Sequence, residues 1–64
     1  MKVSEGDTVW FESGNLKQNW GKVLHINPND DGLHEIIDGE THILYMVSEK
    51  EITGYANPAL HRGS

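Results

Sequence analysis

The dipeptide Asp38-Gly39 stands between two short apolar runs, residues 33–37 and 41–47. Asp-Gly readily supplies two consecutive positive φ angles, and a turn built that way matches the right-handed twist of the strands beside it. The spacing therefore predicts a two-residue β-hairpin with positive φ at both Asp38 and Gly39. A lone hairpin is marginal in water and needs further strands and an apolar face to bury. Residues 8–12, aromatic and β-branched after Gly6-Asp7, read as a first strand. Ser13-Gly14-Asn15 reads as a turn, and residues 20–26 as a second strand that ends at the loop-forming Asn27-Pro28-Asn29-Asp30-Asp31-Gly32. Ser48-Glu49-Lys50-Glu51 has the form of a capping box, in which the Ser48 hydroxyl and the Glu51 carboxylate take each other's backbone amides, and predicts one 3₁₀ turn. Residues 52–55 form a closing edge strand, and Asn57-Pro58 ends it because proline cannot donate to a ladder.

With 64 residues the chain makes one domain, and a domain of that size buries only about 60% of the surface its unfolded chain exposes. It has no cysteine, so neither disulfides nor thiolate zinc sites can staple it. We expect a domain over residues 1–55 and a flexible tail over 56–64. No apolar run approaches the roughly 20 residues that span a bilayer, and polar residues 1–7 do not form a signal peptide, which predicts a cytoplasmic protein off the membrane. Ten acidic residues against five basic ones give a formal charge of −5. Phosphate binding draws on clustered cations, whereas Lys2, Lys17, Lys22, Lys50 and Arg62 are scattered, so nucleic acid is a disfavoured partner.

Five short strands with one helical turn before the last predict an all-β fold, a small five-stranded barrel. The stretch "EGDTVWFESGNLKQNWGKVLHI", residues 5–26, resembles the KOW motif of NusG-like elongation factors and certain ribosomal proteins. Gly6, Asp7, Val9, Gly14, Gly21, Val23 and Ile26 fall at matching places, with Gly21 at the motif's hallmark glycine. The resemblance implies an SH3-like barrel of the KOW or Tudor-like type. Where basic KOW domains carry several lysines around the glycine turn, this chain has Asn15, Gln18, Asn19 and Trp20. In SH3-like and Tudor-like barrels aromatic side chains near the first loop form grooves for peptides or methylated cations. By that resemblance Trp10, Trp20 and Tyr55 are ligand-binding candidates, with Glu12 favouring a cation. The alternative is that both tryptophans lid the core.

The histidines predict no metal site and no cofactor. A symmetric loop after the second strand sets His25 opposite His34, and the Asp38-Gly39 turn sets His42 opposite Glu35 on the other sheet face, so no third ligand joins the pair. Ser13, Ser48 and Thr41 have no evident base and orienting acid, and residues 29–32 lack the ligand spacing of an EF-hand. A non-enzymatic chain is expected.

Residues 42–47, "HILYMV", are apolar on both faces, with Ile43, Tyr45 and Val47 on one and Leu44 and Met46 on the other. Ile36 and Ile37 cannot both enter one core either. One set fills the domain, and the other, taken as Ile37, Leu44 and Met46, needs a cover. A second copy of the chain is the simplest cover, and a protein partner or the chain's own tail would serve as well. These features predict a small protein-interaction module, an accessory or regulatory factor that forms a homo-oligomer. The alternative is a KOW-like nucleic-acid-binding accessory protein of transcription or translation, acting through Lys17, Lys22 and Arg62 beside Trp20. A third reading is an enzyme at the centre of an oligomer, where His42 or Tyr45 of each subunit would gather.

Overall fold

A computed structural model describes residues 2–56. Five antiparallel strands, β1 (Thr8–Ser13), β2 (Leu16–His25), β3 (His34–Asp38), β4 (Leu44–Val47) and β5 (Ile52–Tyr55), form one sheet in the order β4-β3-β2-β1-β5, with a 3₁₀ turn at Glu49–Glu51 before β5. The all-β expectation holds, but the sheet is not a closed barrel: β4 and β5 are its two edges. It curls enough for β1 to meet β4 across the core, where the Phe11 and Tyr45 rings lie 5.5 Å apart at a 54° tilt. No helix among the described residues is long and apolar enough to cross a membrane. Arg62 and the expected tail, apart from Ala56, lie outside the described residues.

Period-two alternation selects the core. Val9 and Phe11 of β1, Val23 of β2, Ile36 of β3, Val47 of β4 and Ile52 of β5 are buried together with Val3. Val3 precedes the expected first strand, and a turn over residues 4–7 brings it inward. In that turn the Asp7 amide donates to the Ser4 carbonyl at 3.1 Å, and Gly6 holds φ +94°, a value that favours glycine at the third turn position. The turn is anchored to β2, because Gly6 N–H donates to the Val23 carbonyl at 2.7 Å and Val23 N–H to the Asp7 carbonyl at 2.8 Å.

The predicted turns are redistributed. Ser13 pairs with Leu16, so Gly14-Asn15 is the two-residue hairpin loop, with Gly14 at φ +57°. Asp38-Gly39 is not such a loop, and neither residue has positive φ. Ile37 pairs with Leu44, and residues 38–43 form a wider turn closed by Asp38 N–H to the Ile43 carbonyl and His42 N–H to the Asp38 carbonyl, both 2.9 Å. The left-handed residue there is His42, at φ +61°. Asp38 widens the turn through its side chain, since one carboxylate oxygen accepts the Glu40 amide at 2.7 Å and the Thr41 amide at 2.9 Å. As a result β4 starts at Leu44, and Ile43, expected beside Tyr45 and Val47 in the core, is 52% exposed.

The histidine pairing also changes. Gly21, Lys22 and Val23 pair with Asp38, Ile37 and Ile36 in the expected register, but a bulge at Leu24 then sets His25 against Glu35. His34 instead pairs with Val47, and Glu35, expected opposite His42, pairs with Met46. At the 3₁₀ turn the expected capping box forms. The Glu51 carboxylate accepts the Ser48 amide at 2.8 Å, while the Glu51 amide donates to the Ser48 carbonyl at 3.0 Å.

Gly21 is where β1, β2 and β3 pack most closely. A Cβ there would sit 2.6 Å from the Ile37 carbonyl oxygen, 2.8 Å from Ile36 Cγ2 and 2.9 Å from Phe11 Cε1. Gly21→Ala should therefore destabilise the domain by about 1–3 kcal/mol, the usual cost of overpacking. Gly54→Ala, whose Cβ meets nothing within 4 Å, should be neutral or slightly stabilising. Urea denaturation of the two variants checks the contrast, and equal losses would contradict this account of Gly21.

Candidate interaction surface

Strand register places the exposed side chains of Trp10, Trp20 and Leu44 on the sheet face opposite the core. Trp10 pairs with Trp20 across β1 and β2. Gly54 lies beyond Trp10 on β5, and Gly39 lies beyond Trp20, its amide donating to the Trp20 carbonyl at 3.0 Å. One row of this outer face therefore reads Gly54, Trp10, Trp20, Gly39. The next row runs Ala56, Thr8, Lys22, Ile37, Leu44, with Ala56 N–H donating to the Thr8 carbonyl at 3.0 Å. Met46 follows Leu44 on the same face, since it lies two residues along β4.

The two tryptophans are equally exposed, at 37% and 38%, but differently seated. The Trp20 ring lies on Gly39, where a Cβ would collide with Cζ3, Cη2 and Cε3 of the indole. Beside Trp10, a Cβ on Gly54 would touch nothing among the described residues within 4 Å. Thr8, Trp10, Trp20 and Ala56 line a shallow open cleft of about 320 Å³. Of the four ligand-binding candidates, Trp10 and Trp20 meet there and the other two do not. Tyr55 pairs with Val9, which places it on the other face, and its hydroxyl donates to the Lys2 carbonyl at 3.3 Å. Glu12 lines a separate polar hollow at the β1–β2 turn with Lys17 and Glu51. Between the two sites the Gln18 amide donates to the Thr53 hydroxyl at 2.8 Å, a link from β2 to β5 over β1. Thr8 was legible as a member of the cleft, because it lies two residues before Trp10 on one strand. Ala56 was not, because its place depends on how β5 pairs.

Ile37, Leu44 and Met46 share the outer face. Leu44 is 54% exposed, whereas Ile37 and Met46 are half-buried. Of the basic candidates, Lys17 sits near the β1–β2 turn and Lys22 lies between Thr8 and Ile37. Five residues along one strand separate them by roughly 16 Å.

Two polar groups brace this face from behind. The Asp38 side chain is buried, and its second carboxylate oxygen accepts the Asn19 amide at 2.8 Å. Burial alone would raise its pKa, but the Thr41 and Glu40 amides, the Asn19 side chain and the Thr41 side chain outweigh burial and hold the carboxyl below its usual range. His34 is also buried; its Nδ1 accepts the Asn27 amide at 3.0 Å, and its Nε2 has no hydrogen-bond partner among the described residues. On the surface, His25 Nδ1 lies 2.7 Å from a Glu35 carboxylate oxygen. That hydrogen bond raises the His25 pKa against an opposing effect of burial, with the charges of Glu35 and Glu5 adding to the rise. No three His, Asp or Glu side chains among the described residues gather as a metal-binding group.

A lowered folded-state pKa means that Asp38 contributes stability above its unfolded-state value of about 3.9 and loses it as pH falls through the folded value. Asp38→Asn should flatten the acid limb of the stability profile and also destabilise the domain at pH 7, because its amide faces donors. Urea midpoints at pH 2–7 test this; identical acid limbs in the two proteins would show that Asp38 is not the group responsible. Gly39→Ala should dislodge Trp20 and shift the tryptophan emission maximum to the red, whereas an unchanged spectrum would mean that the ring does not rest there in solution.

Compared with protein-family models, with curated proteins and with solved structures, the chain matches none.

Proposed function

We propose that this chain is a non-enzymatic protein-interaction module of the SH3-like, KOW or Tudor-like type, an accessory or regulatory factor of the cytoplasm. Its contact surface is the outer sheet face, and its partners are protein, including further copies of itself. One observation carries the reading: Trp10, Trp20, Ile37, Leu44 and Met46 share a face that the domain's own core does not use. Tryptophan and methionine are enriched in protein interfaces, and tryptophan is prominent among the residues that dominate binding energy. A cluster rather than a scatter of exposed apolar side chains is the mark of such a surface. Nucleic-acid binding is the weaker reading, because Lys17 and Lys22 lie apart and Lys22 stands among apolar neighbours.

Leu44→Glu should convert an oligomer to a monomer, or abolish capture of a protein partner, while leaving the β-type circular dichroism spectrum recognisable. Trp10→Ala should weaken the same association and leave the fold intact, because its ring is not part of the core. Light scattering reads the first outcome and titration with the captured partner the second. Outright unfolding of Leu44→Glu, with a wild-type protein that is monomeric and captures nothing, would assign Leu44 to the core and sink the proposal. Binding to single-stranded nucleic acid that falls steeply with salt would favour the other reading.

A further inference from the structure

β4 is an edge strand whose outer backbone no described strand covers. The Asp38 N–H to Ile43 carbonyl bond sets the phase of the β3–β4 ladder. In an antiparallel pair, residues alternate between exchanging bonds with the neighbour and turning their N–H and C=O groups away. Ile43, Tyr45 and Val47 therefore face β3, and Leu44 and Met46 turn their backbone groups to the open side. Protein edges are commonly blunted by lysine, proline or a bulge. β4 has none of these, and its register with β3 is regular from His34↔Val47 to Ile37↔Leu44.

We infer that two copies of the chain pair antiparallel along their β4 edges, about a two-fold axis through Tyr45, joining the two sheets into one. This rests on the interaction-surface reading above and names the second copy as the partner at this edge. A two-fold axis at Tyr45 sets Leu44 against Met46 of the second copy, and Met46 against its Leu44, so the outward-turned residues meet as hydrogen-bonded pairs. Their side chains lie on the outer face, and the apolar faces of the two copies become continuous. Charge agrees with this register. β4 itself is uncharged, so the net charge of −5 is not concentrated at the contact. Continued past the strand ends, the same register sets exposed Glu40 level with exposed Lys50 of the second copy on both sides of the axis.

The absence of cysteine makes the register directly testable in the full chain. Leu44→Cys and Met46→Cys are made as single variants and oxidised mildly, alone and as an equimolar mixture. Paired positions would lie about 5.5 Å apart in Cα, within disulfide reach. Position 44 to 44, or 46 to 46, would lie about 7–8 Å apart, beyond it. Crosslinked heterodimer in the mixture alone is the expected result. Equal crosslinking in either single variant, or none in the mixture, overturns the inference.

A synthetic chain N-methylated at the Met46 amide provides the second arm, since it removes an outward N–H and keeps every side chain. With its circular dichroism unchanged, it should self-associate about tenfold more weakly or worse. Undiminished association, alongside a monomeric Leu44→Glu, would mean that side chains of the face and not the edge hold the copies together, and the edge inference would fail while the interaction surface stood. A wild-type protein that stays monomeric at millimolar concentration but captures another protein would have the same consequence.

Discussion

A carboxylate sealed inside a domain this small must be satisfied or the fold does not form, and Asp38 is that carboxylate. An uncompensated buried charge costs several kcal/mol or more, a large part of the stability a small domain has. Neutral donors meet it: the amides of Glu40 and Thr41 on one oxygen, the Asn19 side chain on the other, and the Thr41 side chain beside them. The first two oblige the chain to take the wide turn over residues 38–43. The third ties that turn to β2. Turn width fixes the β3–β4 register, and register fixes which residues face the core. A two-residue turn at Asp38-Gly39 would shift β4 by four positions against β3, an even number, so the same parity of residues would face inward. Ile43, however, would then be a strand residue, and the pairing of Ile36 with Tyr45 over Phe11 would be lost.

Two of the glycines serve as bare positions. Gly21 keeps ordinary φ and is indispensable because the Ile37 carbonyl, Ile36 and Phe11 press on it from three directions. Gly39 also keeps ordinary φ, and its missing side chain lets Trp20 lie flat at the end of β3. The first bare site lets the sheet curl around Phe11, and the second lets the outer face carry an indole close to its backbone. A side chain at either site would act on opposite surfaces of the same three strands.

Much of this was legible beforehand. Composition and turn signals located the strands, although β2 begins at Leu16 and not at the expected Trp20; alternation put Val9 and Phe11 on one face with Trp10 on the other, and β5 lies where its composition placed it. The split of Ile36 from Ile37, and of Tyr45 and Val47 from Leu44 and Met46, followed from period two alone. What failed depended on side-chain chemistry and on single-residue irregularities. Asp-Gly suggests a tight turn only if aspartate acts through its backbone, and here it acts through its carboxylate. The bulge at Leu24 leaves no composition signal, yet it moves His25 from His34 to Glu35. Tyr55 seemed to belong with the tryptophans because it is aromatic, although facing is decided by pairing with β1. Val3 was hidden among polar neighbours, and only the turn at Gly6 brings it to the core.

The outer face offers a partner two unlike halves. Trp20 is held by Gly39, so contact with it requires little further ordering, and a preorganised ring loses less entropy on binding. Trp10 borders the vacant space over Gly54 and the open cleft with Thr8 and Ala56, so that side can admit a partner's side chain. Leu44 and Met46 lie at the far end of the next row, where their side chains belong to the face and their backbones to the edge. A second copy bound along β4 would cover that end and leave the tryptophan cleft, which starts two strands away at β2, open on each subunit. Self-association and capture of another protein are therefore compatible on one sheet, and a dimer would present two clefts to a partner with repeated contact sites, which binds such a pair more tightly than either cleft alone.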